Sequence, residues 1–163
     1  MPFFLNATLW KLFICLRIYV VSQLLLHWIL AVFHGYQDVT RLLIENQADI
    51  NSKNNDGLTP LHYAAQKGYL KVCEILIENG VDKNVGDKDG DTPLHLAAFE
   101  GHAEVCKLLL DNQAEKNPRT NDGRAPLNTA ASKGHLKVCQ ILLENDVDKV
   151  PRDKDGDTPL HLG

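Results

Sequence analysis

The sequence repeats itself every 33 residues over most of its 163-residue length. Its clearest marker is an Asp-Gly pair followed three residues later by proline, and the aspartates of these pairs are Asp56, Asp89, Asp122 and Asp155. A fixed period of this size is typical of a solenoid, in which each unit packs on its neighbours. The register gives complete units at 54–86, 87–119 and 120–152, the second half of a unit at 34–53 and the first third of another at 153–163.

Each unit predicts two short helices and a projecting loop. Thr59 caps the first helix and Pro60 suits its first position, while Gly68 is expected to end it. A second, apolar helix should run over Leu70–Glu78. The polar stretches at 81–91 and 114–124 contain an Asp-Gly turn and should project as β-hairpin-like fingers. Helices this short cannot bury their apolar faces alone, so the units must stack.

Three segments carry a recognisable motif: Thr59–Ala65 and Thr92–Ala98 begin Thr-Pro-Leu-His, and so does Thr158–His161. They resemble the signature of the ankyrin repeat, and the resemblance extends over about residues 34–163. It implies an all-α fold, an α-solenoid of stacked helix-turn-helix units with β-hairpin-like fingers. It also implies that the motif histidines hydrogen-bond neighbouring loops. The third complete unit has Ala125 and Asn128 instead of Thr and His, and we expect it to be the least stable complete unit.

The residues that carry chemistry follow the repeat register and form no catalytic or metal-binding motif. Cys73, Cys106 and Cys139 occupy one position of the second helices, where a buried small apolar side chain is expected. The segments 87–91 and 153–157 resemble the start of a calcium loop, but Thr92 stands where that loop needs glycine and Ala98 where it needs glutamate. We therefore expect no enzyme activity, no cofactor and no metal. The net charge of −4 also argues against nucleic acid as a partner.

The resemblance implies a non-catalytic protein–protein interaction module, a scaffold or adaptor that forms part of a longer protein. Partners of the ankyrin family usually meet the finger tips and the exposed side of the first helices. We call the corresponding positions the tip-and-helix surface: Asn55, Asp56, Leu58, Gln66, Lys67, Lys88, Asp89, Asp91, Phe99, Glu100, Asn121, Asp122, Arg124, Ser132 and Lys133. Phe99 is either a binding anchor or an ordinary exposed apolar residue. The acidic tips at 87–91 and 153–157 predict a partner segment with basic groups, while Arg119 and Arg124 make the intervening finger basic.

Residues 1–33 form a separate apolar segment with no Asp or Glu. Three interpretations remain open for it. It covers the end of the stack or forms a degenerate first repeat, with Trp28 at the register position of Leu61. Alternatively, residues 12–33 span a membrane and tether an ankyrin protein, although Arg17 would lie within the bilayer. In the third interpretation, this segment and the repeats were joined by alternative splicing or a faulty gene model. Repeated cysteines favour a reducing compartment, so the predicted location is cytoplasmic, with a membrane as the alternative.

Overall fold

The computed structural model describes residues 35–158, and this part of the chain contains seven helices and no strand. One helix, α1, precedes the complete units, and each complete unit then contributes a first and a second helix. The helices are α1 (Gln37–Glu45), α2 (Pro60–Lys67), α3 (Leu70–Glu78), α4 (Pro93–Glu100), α5 (Ala103–Asp111), α6 (Pro126–Ser132) and α7 (Leu136–Glu144). The predicted helix at Thr158 lies at the edge of the described residues, and its body lies outside them.

The local signals place the helix boundaries where the sequence predicts them. Helix α2 begins directly after Thr59, and Gly68 ends it with φ +70°, a left-handed conformation that glycine adopts without strain. Helix α3 runs over the predicted residues, and Asn79 follows it. Proline begins each first helix because its missing N–H has no partner in the first turn of a helix.

The helices stack in two rows, which confirms the predicted all-α solenoid. The first helices α2, α4 and α6 contact one another in order, and so do the second helices α1, α3, α5 and α7. Small side chains permit this close approach: Ala64, Ala65, Ala97 and Ala98 are fully buried. Large side chains of the two rows, such as Leu61 and Leu109, are also fully buried, and burial of their apolar surface stabilises the stack.

The fingers are turns tied tip to tip, and they form no ladder of strand bonds. In the finger at 81–91, the Asp87 N–H donates to the Asp91 carbonyl over 3.0 Å and closes the turn. Each of the first three tips then receives one backbone bond from the next finger. The bonds between tips run from Lys88 N–H to the Asp56 carbonyl, from Asn121 N–H to that of Asp89 and from Lys154 N–H to that of Asp122.

Asparagine side chains provide a further link between adjacent units. The side-chain oxygen of Asn51 accepts the backbone N–H of Asp82 over 2.9 Å. Asn84 and Asn117 repeat the arrangement 33 and 66 residues later, accepting from Glu115 and Asp148 over 2.8 Å each. The entry to each finger is therefore held to the unit before it.

Candidate functional site

The motif histidines link the first helices to the fingers by hydrogen bonds. His62 accepts the Thr59 N–H at Nδ1 over 3.0 Å and donates from Nε2 to the Asp91 carbonyl over 3.0 Å. His95 makes the same pair of bonds, with Thr92 and with the carbonyl of Arg124. Burial lowers the pKa of both rings, that of His95 to about 4, so both are neutral at physiological pH. Each neutral ring joins the start of its own helix to the next finger.

Asn128 performs the same task in the third complete unit. Its side-chain oxygen accepts the Ala125 N–H over 3.0 Å, and its amide group donates to the Pro151 carbonyl over 2.9 Å. The unit therefore keeps both bonds of the histidine although the residue type differs. Ala125 still lacks the hydroxyl that lies beside the histidine ring in the other units, so the lower stability of this unit stays a prediction.

A second set of histidines joins the units at the opposite end of the first helices. His102 donates from Nε2 to the Gln66 carbonyl over 3.0 Å, and His135 donates to the Phe99 carbonyl over 2.9 Å. Each ring lies against a helix-ending glycine, because a Cβ at Gly68 would come within 2.6 Å of the His102 ring. His102 and His135 are 33 residues apart in the sequence, but Tyr69 occupies the equivalent position in the first complete unit, so the motif does not predict these links.

The repeated architecture, the helix caps and the links between loops are typical of one protein family. A comparison with protein-family models identifies that family. A model described as ankyrin repeats, in three copies, matches residues 26–120 and 113–163. The chain belongs to the ankyrin repeat family. A search of curated proteins finds no match.

Ankyrin repeats generally bind other proteins, and the family is typically non-catalytic. Within residues 35–158, no group of three or more His, Cys, Asp or Glu side chains is arranged to hold a metal ion. Cys73 and Cys106 are buried and free, and burial raises the pKa of each thiol to about 12. Such thiols stay protonated and are poor nucleophiles.

The fifteen residues of the tip-and-helix surface all retain contact with solvent. Leu58, Gln66 and Asp91 are half-buried, and the other twelve are exposed. Phe99 is the large apolar member, with 43% of its surface exposed. The ammonium group of Lys133 lies 4.2 Å from the centroid of its ring, so a cation from the next unit covers part of the aromatic face.

The charges at the tips are largely paired between successive fingers. Lys88 lies 3.9 Å from Asp56, and Lys154 lies 3.8 Å from Asp122. The arginines of the finger at 114–124 are engaged in the same way, since Arg119 and Arg124 pair with Asp148 and Asp153 at 3.1 and 3.8 Å respectively. The positive charge that the sequence assigns to this finger is therefore partly neutralised by the finger that follows.

One carboxylate of the acidic finger tip, that of Asp87, stabilises the turn. A side-chain oxygen of Asp87 accepts the backbone N–H groups of Asp89 and Asp91, over 2.9 Å each, and holds the turn. Burial raises the pKa of Asp91 to about 6, with smaller contributions from Asp87 and Asp89. Asp89 is exposed, whereas Asp87 and Asp91 are half-buried, so Asp89 supplies the exposed negative charge of this tip.

No helix among the described residues has both the length and the apolar character needed to cross a bilayer. The predicted membrane tether at 12–33 lies outside the described residues. The other two interpretations of residues 1–33 also concern residues outside the described part of the chain.

Proposed function

We propose that this ankyrin array binds a segment of another protein along the tip-and-helix surface, without catalysis, as a scaffold or adaptor. The observation that carries the proposal is the exposed ring of Phe99 among polar and charged neighbours. Large aromatic side chains ringed by polar groups are frequent anchors of protein interfaces, because they bury much area at little cost in conformational entropy.

The ring of Phe99 takes no part in the hydrogen bonds between units, since the bond from His135 uses the backbone carbonyl. Lys133 shields only one side of the ring from solvent. An apolar side chain of a partner therefore has an aromatic surface on which to pack, with Lys133 and Glu100 beside it in the register. Packing of this kind is worth about 2 kcal/mol at an interface anchor.

Charge supports a partner segment with basic groups. Asp89 is exposed and its tip also carries Asp87 and Asp91, whereas the arginines of the next finger are engaged with Asp148 and Asp153. The exposed charge at the tip of the finger at 81–91 is thus negative, and a basic segment would be attracted to this tip. Exposed charges mainly set the association rate and the specificity.

The proposal includes a cytoplasmic location, which the free thiols of Cys73, Cys106 and Cys139 favour. Membrane tethering through residues 12–33 stays the alternative, and it is compatible with the same binding surface.

The test begins with a photoreactive phenylalanine analogue at position 99 in cells that express the protein. We expect cross-links to a partner from this position. The matched position is Leu136, which is 70% exposed but lies on a second helix, and which should give none with that partner. Cross-links from position 136 alone would move the binding site to the opposite side of the array.

The partner so identified is then used to measure binding by Phe99→Ala. We expect dissociation to accelerate about 30-fold, equivalent to about 2 kcal/mol. Leu136→Ala serves as the control and should bind like the parent. If Phe99→Ala also binds like the parent, the proposed surface loses its anchor and the proposal is wrong.

A further inference from the structure

Helix α1 leaves uncovered an apolar face that the equivalent helices bury. Val39 is 40% exposed, whereas Val72 and Val105, at the same register position, are each 1% exposed. Leu42 is 57% exposed, whereas its equivalent Ile75 is fully buried. In each complete unit the second helix packs on the first helix of its own unit, but no such first helix precedes α1 among the described residues. A first helix is the element that would cover this face.

Gly35, two residues before α1, already has the conformation that ends a first helix. Gly35 has φ +68°, which matches φ +70° at Gly68, where α2 ends. The Tyr69 ring lies 3.1 Å from the position of a Cβ on Gly35, just as the His102 ring lies against Gly68. A left-handed glycine packed under the ring from the next unit is the normal exit from a first helix in this array.

The sequence before Gly35 fits that helix in register. Trp28 falls at the position of Leu61 and Ala31 at that of Ala64, which are both fully buried. The match to the ankyrin family model also begins at residue 26, ahead of the described residues.

We propose that residues 27–34 form the first helix of the first unit and that this helix covers Val39 and Leu42 on α1. The occupant belongs to the same chain and is joined directly to Gly35, so its effective concentration at α1 is high. The partial unit at 34–53 then becomes a complete one, and the array gains an end cover from its own amino-terminal segment.

This packing and a membrane span over 12–33 exclude each other, because they need the same residues. Once residues 27–34 lie on α1, the apolar run that is left covers 12–26. Fifteen residues of helix are only about 22 Å long, less than the roughly 30 Å thickness of the hydrocarbon core.

Hydrogen exchange on the full-length chain tests the proposal, in buffer alone and with vesicles of a neutral phospholipid. We expect the amides of 28–34 to be protected in buffer alone, with exchange slowed to within about tenfold of that in α2. The variant Val39→Asp places a charge under the proposed helix, so it should remove protection from 28–34 while α4 stays protected.

Leu143→Asp is the matched control, since Leu143 is also 40% exposed but lies on α7 at the other end of the array. It should leave exchange in 28–34 unchanged. Should Val39→Asp unfold α4 as well, Trp28→Asp replaces it and must accelerate exchange in 28–34 alone. Fast exchange of 28–34 in the parent, protection that requires vesicles, or indifference of 28–34 to these substitutions would each overturn the proposal.

Discussion

His95 donates a hydrogen bond to the carbonyl oxygen of Arg124, a residue of the next ankyrin repeat. The other ring nitrogen accepts the Thr92 N–H, so a proton added there would break the bond at the start of α4. The bond at the start of α4 therefore requires a neutral imidazole, whereas the bond to Arg124 needs only the proton on Nε2.

Acid should weaken the array through this ring. The pKa of His95 falls from 6.5 to about 4 on burial, so the unfolded chain binds more protons between these values. The free energy of unfolding should thus decrease as the pH falls from about 6.5 towards 4, by at most about 3 kcal/mol from this residue. His95→Asn copies Asn128, keeps both bonds and does not titrate. Urea unfolding at several pH values should show a weaker pH dependence for this variant, and an equal dependence would contradict the prediction.

Asp91 should destabilise the array at neutral pH. Burial raises its pKa from 3.8 to about 6, so its contribution to stability is present below pH 4 and is lost as the pH rises through 6. Asp91→Asn should therefore raise the melting temperature at pH 7.5, and the gain should vanish near pH 4. Glu144→Gln removes one exposed charge elsewhere and should show no such pH-dependent gain. A gain for Asp91→Asn that persists at pH 4 would assign the effect to something other than ionisation.

Two helix-ending glycines offer a matched pair of substitutions. Both Gly101 and Gly134 have positive φ, at +82° and +70°, so alanine is strained by about 1–2 kcal/mol at either position. At Gly101 the new Cβ would also lie 2.8 Å from the His135 ring, whereas at Gly134 nothing lies within 4 Å. Denaturant unfolding should find Gly101→Ala less stable than Gly134→Ala. Equal losses would mean that the histidine ring moves aside without cost.

Asp89→Lys should slow association with the partner found by cross-linking at position 99. The exposed carboxylate attracts a basic segment over distances set by the Debye length, about 10 Å at 0.1 M salt. The defect should therefore shrink as the salt concentration approaches 1 M. Asp111→Lys makes the same change of charge on α5, outside the tip-and-helix surface, and should alter the association rate less. A larger effect of Asp111→Lys would place the electrostatic contact on the second helices.

The repeat register predicts the elements well because each rests on local chemistry. Thr59, Pro60 and Gly68 determine where α2 begins and ends, and stacking follows from the shortness of the helices. The match to the ankyrin family confirms the family and the fold class. It leaves the tip-and-helix surface untested, because a repeat register predicts exposure but not affinity.

The contacts between units needed the structure. Asn51 suits a turn in sequence terms, yet its side chain binds the Asp82 N–H of the next unit, 31 residues away. Likewise, the sequence predicts a basic finger from Arg119 and Arg124, but their pairing with Asp148 and Asp153 depends on the distance between fingers. Asn128 is the clearest case. Its replacement of a motif histidine predicts a less stable unit, and only the structure shows that both hydrogen bonds are kept.

The hydrogen bonds of His62, His95 and Asn128 each join one repeat to the next repeat. A force on the array is therefore carried through each repeat-to-repeat contact in turn. Bending between two adjacent repeats is opposed only by the contacts between those two repeats. A partner laid across three fingers would connect the unit at 54–86 with the unit at 120–152, which the hydrogen-bond links join only through the unit between them. The bound partner would thus oppose bending between non-adjacent repeats. We expect the bound array to have a narrower range of curvature than the free array.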